Sequence, residues 1–120
     1  MDNLQNKLRV FAEERDWDNY HTPKNLVMAL SGEIGELTEI FQWLNEDESK
    51  IENLSIKNIE RVKEEIADVF LYLIRLSDKL NIDLIEVANN KIEVNKNKIR
   101  QLNKSTYDFL EIKAMLCSQL

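Results

Sequence analysis

Residues 56–80, IKNIERVKEEIADVFLYLIRLSDKL, decide the fold. Ile59, Val62, Ile66, Val69, Leu73, Leu76 and Leu80 recur at three- and four-residue steps, the spacing of a single helix face. Ser55 is a suitable N-cap ahead of them and Asn81 a suitable stop, so a helix over 56–80 is expected. The same period continues outward on both sides. Leu4, Leu8 and Phe11 mark a helix over 3–15, which the turn formers of DWDNYHTP interrupt. Thr22 as N-cap and Pro23 at the first helical position open a helix over 23–45 with the stripe Leu26, Leu30, Leu37, Ile40 and Leu44. After the acidic connection at 45–55 and the helix already read, Asp83 caps a helix over 84–103 carrying Leu84, Val87, Ala88, Ile92, Val94, Ile99 and Leu102. Ser105 opens a short segment ending in FLEIKAMLCSQL that is also read as helix. No segment has a strand pattern, a repeat or low complexity. The expected fold is all-α: an antiparallel bundle of four main helices, with a short C-terminal helix. Residues 1–104 are expected to form the domain and 105–120 an extension.

The chain has 120 residues, a size that supports one core and little more. Apolar stripes left over on long helices favour self-association. The net charge is −6, and no block of Lys and Arg is present to displace counterions from a phosphate backbone, so nucleic acid is not an expected partner. Cys117 is the only cysteine, which excludes an intrachain disulfide and a cysteine-based zinc site. The start, MDNLQNKLRVFAEERDW, has no apolar signal core, and no apolar run is long enough to cross a membrane. A cytoplasmic protein without a membrane partner is the expectation.

Four acids bring chemistry into this frame. Glu33 and Glu36 in EIGE, and Glu65 and Asp68 in EIAD, are each spaced i,i+3 and so share a helix face. Each pair borders an apolar stripe, where carboxylates are costly unless compensated. A hard divalent cation compensates them with oxygen ligands alone. With no histidine among the four, Mg²⁺ or Mn²⁺ suits the set better than zinc or iron. The alternative is an ordinary solvated acidic face. Gly32 and Gly35 flank Glu33 at a cost of roughly 1 kcal/mol each relative to Ala in a helix interior. They point to close approach of a ligand, a backbone or a neighbouring helix. Tyr72 follows Asp68 by one turn and is expected in the same site. Trp43 follows Glu36 by two helical turns, and with Trp17 it is either an aromatic wall for a nucleobase or a core or interface residue. Lys91, Asn95 and Lys98 form one polar stripe of the last long helix, suited to phosphate or base contacts or to solvent.

FAEERDWDNYHTPKNLVMALSGEIGELTEIFQWL, EEIADVFLYLIRL and KIEVNKNK, taken in order over about residues 4–100, resemble the MazG-like all-α nucleotide pyrophosphohydrolases. Within them the likeness is greatest to the dCTP pyrophosphatase branch. The resemblance implies Mg²⁺-dependent cleavage of a nucleoside triphosphate between the α- and β-phosphates. It implies that Glu33, Glu36, Glu65 and Asp68 are metal ligands, with Glu33 or Glu36 also serving the attacking water as base. It implies that Trp17, Trp43, Tyr72, Lys91 and Asn95 bind substrate, and that the chains assemble as homodimers or homotetramers with shared sites. Three features depart from the family pattern. Leu8 stands where relatives can carry a pocket histidine, Lys96, Asn97 and Lys98 stand where an arginine-rich run is common, and residues 101–120 have no counterpart. Two competing readings remain at this point. One is a non-enzymatic helical homo-oligomeric interaction module. The other is a redox di-metal carboxylate bundle, which the missing second-helix histidines disfavour.

Overall fold

Three of the four described helices start where a short polar side chain satisfies an amide of the first turn, whereas the first begins at Met1 without a side-chain cap. In this computed structural model, which describes residues 1–103, the Thr22 hydroxyl accepts from the Asn25 amide at 3.2 Å. Ser55 accepts from Asn58 at 3.1 Å and Asp83 from Glu86 at 3.1 Å. The helices are α1 (Asp2–Glu14), α2 (Pro23–Phe41), α3 (Ile56–Lys79) and α4 (Leu84–Asn103), with a 3₁₀ turn at Ile51–Asn53 before α3. The class is all-α, and no strand occurs among the described residues. The short C-terminal helix expected after Ser105 lies outside them.

Two of the helices end by the same device. Asn81 has φ 55° and Asp16 has φ 54°, the left-handed conformation that Asn and Asp tolerate better than most residues. Past α3, the Ile82 amide bonds to the Ser77 carbonyl at 2.9 Å and the Asn81 amide to Asp78 at 3.1 Å. Past α1, the Trp17 amide bonds to Ala12 at 3.0 Å and the Asp16 amide to Glu13 at 3.1 Å. This is the Schellman arrangement, which folds the residue after the left-handed one back over the helix end. It puts Trp17 against Phe11, with ring centroids 5.5 Å apart and planes at 70°.

The second helix is shorter than its period suggested: α2 stops at Phe41, not at 45. Asn45 and Glu48 explain the stop. The Asn45 amide donates to the Glu48 carboxylate at 3.0 Å, and the Glu48 amide donates to the Asn45 side chain at 2.8 Å. Such local side-chain bonds compete with the helical ladder and turn the chain out of it.

Residues 1–82 form one compact unit, and residues from 83 onward form a second, of which α4 is described. In the first unit α3 packs along α2 and, less extensively, against α1. Glu33 in the second half of α2 meets Glu65 in the first half of α3. His21, just ahead of α2, meets Arg75 near the end of α3. The two helices therefore run antiparallel. Among the described residues Ala12, Leu26, Ile40 and Ile74 are the buried apolar ones, and Leu26 and Ile74 are about 1% exposed. Burying a side chain of that size contributes about 1.5–3 kcal/mol. The covered face of α3 differs from the expected stripe. Ile74, Arg75 and Ser77 are buried while Ile66 is 53% exposed, because two neighbours cover the C-terminal half of the helix. In α4, Asn95 is buried.

Candidate functional site

Both acids of the first pair converge with Glu65 of the second. Carboxylate oxygens of Glu33, Glu36 and Glu65 lie within 4.8 Å of one another across the α2–α3 seam. Oε2 of Glu33 and Oε2 of Glu65 are buried without a hydrogen-bond partner. Like charges at this spacing resist ionisation. Burial first, then the charges of Glu36 and Asp68, push the Glu33 carboxyl up from its ordinary value. Burial, a hydrogen bond with Glu36, and the charges of Glu36, Glu33 and Asp68 push the Glu65 carboxyl up to about 7. An all-carboxylate donor set with two orphaned buried oxygens fits a hard divalent cation: the ligand type is right, and a cation would satisfy the groups that the protein leaves unmet.

Asp68 stands beside this trio and does not belong to it. It is exposed, acts on Glu33 and Glu65 through its charge, and lines an adjoining pocket of about 240 Å³. Trp17, Phe11 and Leu8 from α1 and its turn, and Leu71 and Tyr72 from α3, form the walls. Trp17 thus comes together with Asp68 and Tyr72 from two separate stretches of sequence. The pocket also contains two polar residues that the sequence did not single out, His21 and Arg75. A lone histidine in a turn and an arginine within an apolar run gave no periodic signal.

Trp43 is elsewhere. The helical placement over Glu36 is corrected: α2 ends at Phe41, so Trp43 sits in the following turn, 86% exposed and not among the pocket residues. Ile51 on the same connector and Ile56 at the start of α3 are also exposed. Lys91 is exposed on α4, and Asn95 is covered where the polar stripe suggested a uniform face.

The glycine expectation also changes. A Cβ built on Gly32 or Gly35 would meet nothing within 4 Å, and neither residue has a positive φ. Nothing among the described residues requires them. Gly32→Ala is therefore expected to raise the stability of a lone chain by about 1 kcal/mol through helix propensity. Chemical denaturation of dilute protein tests this. A loss of stability or assembly instead would mean that another molecule occupies that space.

Comparison with known proteins matches this arrangement to one group. The model of the MazG-like family matches residues 28–109. Human dCTP pyrophosphatase 1 is 39% identical over 88 residues, which are 73% of this chain and 52% of that protein. The mouse protein of the same name gives the same values. The chain spans about half the length of the curated relatives it matches. A solved pyrophosphatase from Archaeoglobus fulgidus DSM 4304 is 44% identical and superposes with a TM-score of 0.75, covering 82% of this chain and 90% of that one. With more than half its length under the family model and its helices superposing on a solved relative of high identity, the chain belongs to the MazG-like family.

Proposed function

We propose that the chain is a nucleoside triphosphate pyrophosphohydrolase that converts a (d)NTP, with dCTP or a related nucleotide as the leading substrate, to the monophosphate and pyrophosphate. The observation that carries this reading is the convergence of Glu33, Glu36 and Glu65, two of them with orphaned buried oxygens, beside Asp68, which lines an aromatic pocket. The names of the relatives support the reaction class. Glu33, Glu36, Glu65 and Asp68 would hold Mg²⁺, with Mn²⁺ as a substitute. A divalent cation held by these acids would supply neutralisation of phosphate charge and of the charge developing on the phosphoryl oxygens.

The side chains divide the remaining work. Trp17 and Tyr72 give the nucleoside faces to lie against, and Leu8, Phe11 and Leu71 exclude water around it. Glu33 or Glu36 takes the proton of the attacking water. The new bond forms from water oxygen to the α-phosphorus, and the bond from that phosphorus to the bridging oxygen breaks. Pyrophosphate leaves with the electron pair. Lys91 and Asn95 of α4 are assigned to phosphate or base contacts.

Trp43 fits this scheme through a second copy of the chain. It is absent from the pocket walls of its own chain and stands nearly free. We assign it to the nucleotide site of a neighbouring protomer in a homodimer or homotetramer. Exposed Val27, Met28 and Ile34 on α2 supply apolar surface for such an assembly.

The test is incubation of the purified chain with each dNTP and Mg²⁺, with products resolved by ion exchange. Monophosphate plus pyrophosphate from one base in preference to the others is expected. Diphosphate plus orthophosphate would overturn the cleavage position. No product from any nucleotide would return the chain to the reading of an interaction module.

A further inference from the structure

Arg75 is the most deeply buried cation of the first unit, 5% exposed, and its guanidinium faces the turn between α1 and α2. Its Nη2 donates to Asp18 Oδ1 at 2.6 Å, and its Nε donates to Nδ1 of His21 at 3.2 Å. Lys79 donates to the same Asp18 oxygen at 2.6 Å, and Asp78 lies 3.9 Å from Nη1. Arginine always carries its protons, so a nitrogen that accepts from it must offer a lone pair. Nδ1 of His21 is therefore unprotonated, and the ring keeps its proton on Nε2. Among the described residues nothing accepts a hydrogen bond from that Nε2. Both His21 and Arg75 line the pocket, and the imidazole rests beside Trp17 with centroids 5.7 Å apart.

We infer that Arg75 is a positioning residue that locks His21 as the neutral Nε2–H tautomer, so that the pocket wall offers an N–H donor to a hydrogen-bond acceptor on the nucleoside part of the ligand. This rests on the nucleotide reading of the pocket. A histidine otherwise exchanges its proton between two nitrogens and can present either a donor or an acceptor. Held by Arg75 it presents only a donor, of the kind that suits a pyrimidine carbonyl or ring nitrogen. A ligand that turns a donor to the same place leaves both groups unpaired in an apolar pocket, and this is how such sites discriminate. The groups facing His21 agree. Burial, then the charges of Arg75 and Lys79, hold its pKa below the ordinary value, against the opposing pull of Asp18.

His21 is the only histidine in the chain, so one imidazole appears in a long-range ¹H–¹⁵N correlation spectrum of the labelled 120-residue chain. At pH 7 and without metal, a protonated Nε2 and an unprotonated Nδ1 are expected. An Nδ1–H tautomer, a mixture or an imidazolium overturns the inference. Kinetics on the dNTP that is turned over fastest give the second readout. His21→Leu should raise KM roughly three- to tenfold, the value of one neutral hydrogen bond, with kcat little changed. His21→Gln, which keeps an N–H in the region of Nε2, should recover most of that loss. Equal losses in both variants, or a loss confined to kcat, overturn the donor role. In Arg75→Lys the ammonium cannot reproduce the planar fork, so the single tautomer should give way to a mixture and KM should rise. A retained tautomer with unchanged KM overturns the positioning role. If no nucleotide is turned over, the functional reading fails and the donor role falls with it, while the tautomer spectrum still decides whether Arg75 locks the ring.

Discussion

Glu65→Gln should abolish turnover while raising the melting temperature of the metal-free chain. The two effects have one cause. Glu65 faces Glu36, Glu33 and Asp68, and one of its oxygens is buried without a partner. A neutral amide of the same shape removes the repulsion and leaves the packing intact. It also removes an anionic ligand from a site whose proposed work is to hold a cation against phosphates. Losing one such electrostatic contributor costs on the order of 10²–10³-fold in rate. Thermal unfolding with and without Mg²⁺, followed by assay, checks both halves. Retained turnover would remove Glu65 from the site, and an unchanged melting temperature would mean that its repulsion is relieved in another way.

The pH dependence follows with a definite sign. The folded value of Glu65, about 7, is above its ordinary value of 4.5. The folded chain therefore binds more protons than the unfolded chain between those limits. The contribution of Glu65 to stability is full below 4.5 and is lost as pH rises through about 7. Metal binding runs the other way, because a proton must leave before the cation is held. The metal-free chain should thus lose stability across this window while Mg²⁺-induced stabilisation grows. Glu65→Gln should flatten both trends. Asp78, whose carboxyl Arg9 holds below its ordinary value, acts only at lower pH and does not blur the result.

The parts of the molecule that were legible in the sequence are those fixed by near neighbours. Thr22, Ser55 and Asp83 announce helix starts because a cap needs only the next three residues. Asn81 announces an end for the same reason. The i,i+3 acids announce their shared faces. That Glu33 and Glu36 on α2 would meet Glu65 on α3 followed from the resemblance and from pairing two helices of matched period. The C-terminal limit of α2 was not legible, because Trp43 and Leu44 continue the apolar period while Asn45 and Glu48 end it through their own side chains. The Arg75 cluster was hidden for a different reason. Asp18 and His21 are 57 and 54 residues away in sequence, and no local pattern reports a contact at that range. The open space beside Gly32 and Gly35 was invisible as well, since a glycine's neighbours are set by tertiary structure alone.

Mixing two damaged chains should restore activity that neither has alone. Trp43→Ala keeps every acid but loses the aromatic wall, and at roughly 1–3 kcal/mol per stacked base the homomeric variant should be weakened about five- to hundredfold. Glu36→Gln keeps Trp43 but loses an acid, so its homomer should be dead. If Trp43 serves the site of a neighbouring copy, a mixed dimer contains one complete site: the acids of the Trp43→Ala chain and the Trp43 of the Glu36→Gln chain. With symmetric pairing and random exchange, about a quarter of all sites in an equal mixture fall into that combination. Co-refolding the two variants and assaying the mixture measures it. Activity near a quarter of the parent chain's is the expected outcome. Activity equal only to the mean of the two homomers would return Trp43 to its own chain's site or to no site. The exposure of Trp43 beyond the end of α2 favours the first result, because its own acids lie back along the helix from the turn that carries it.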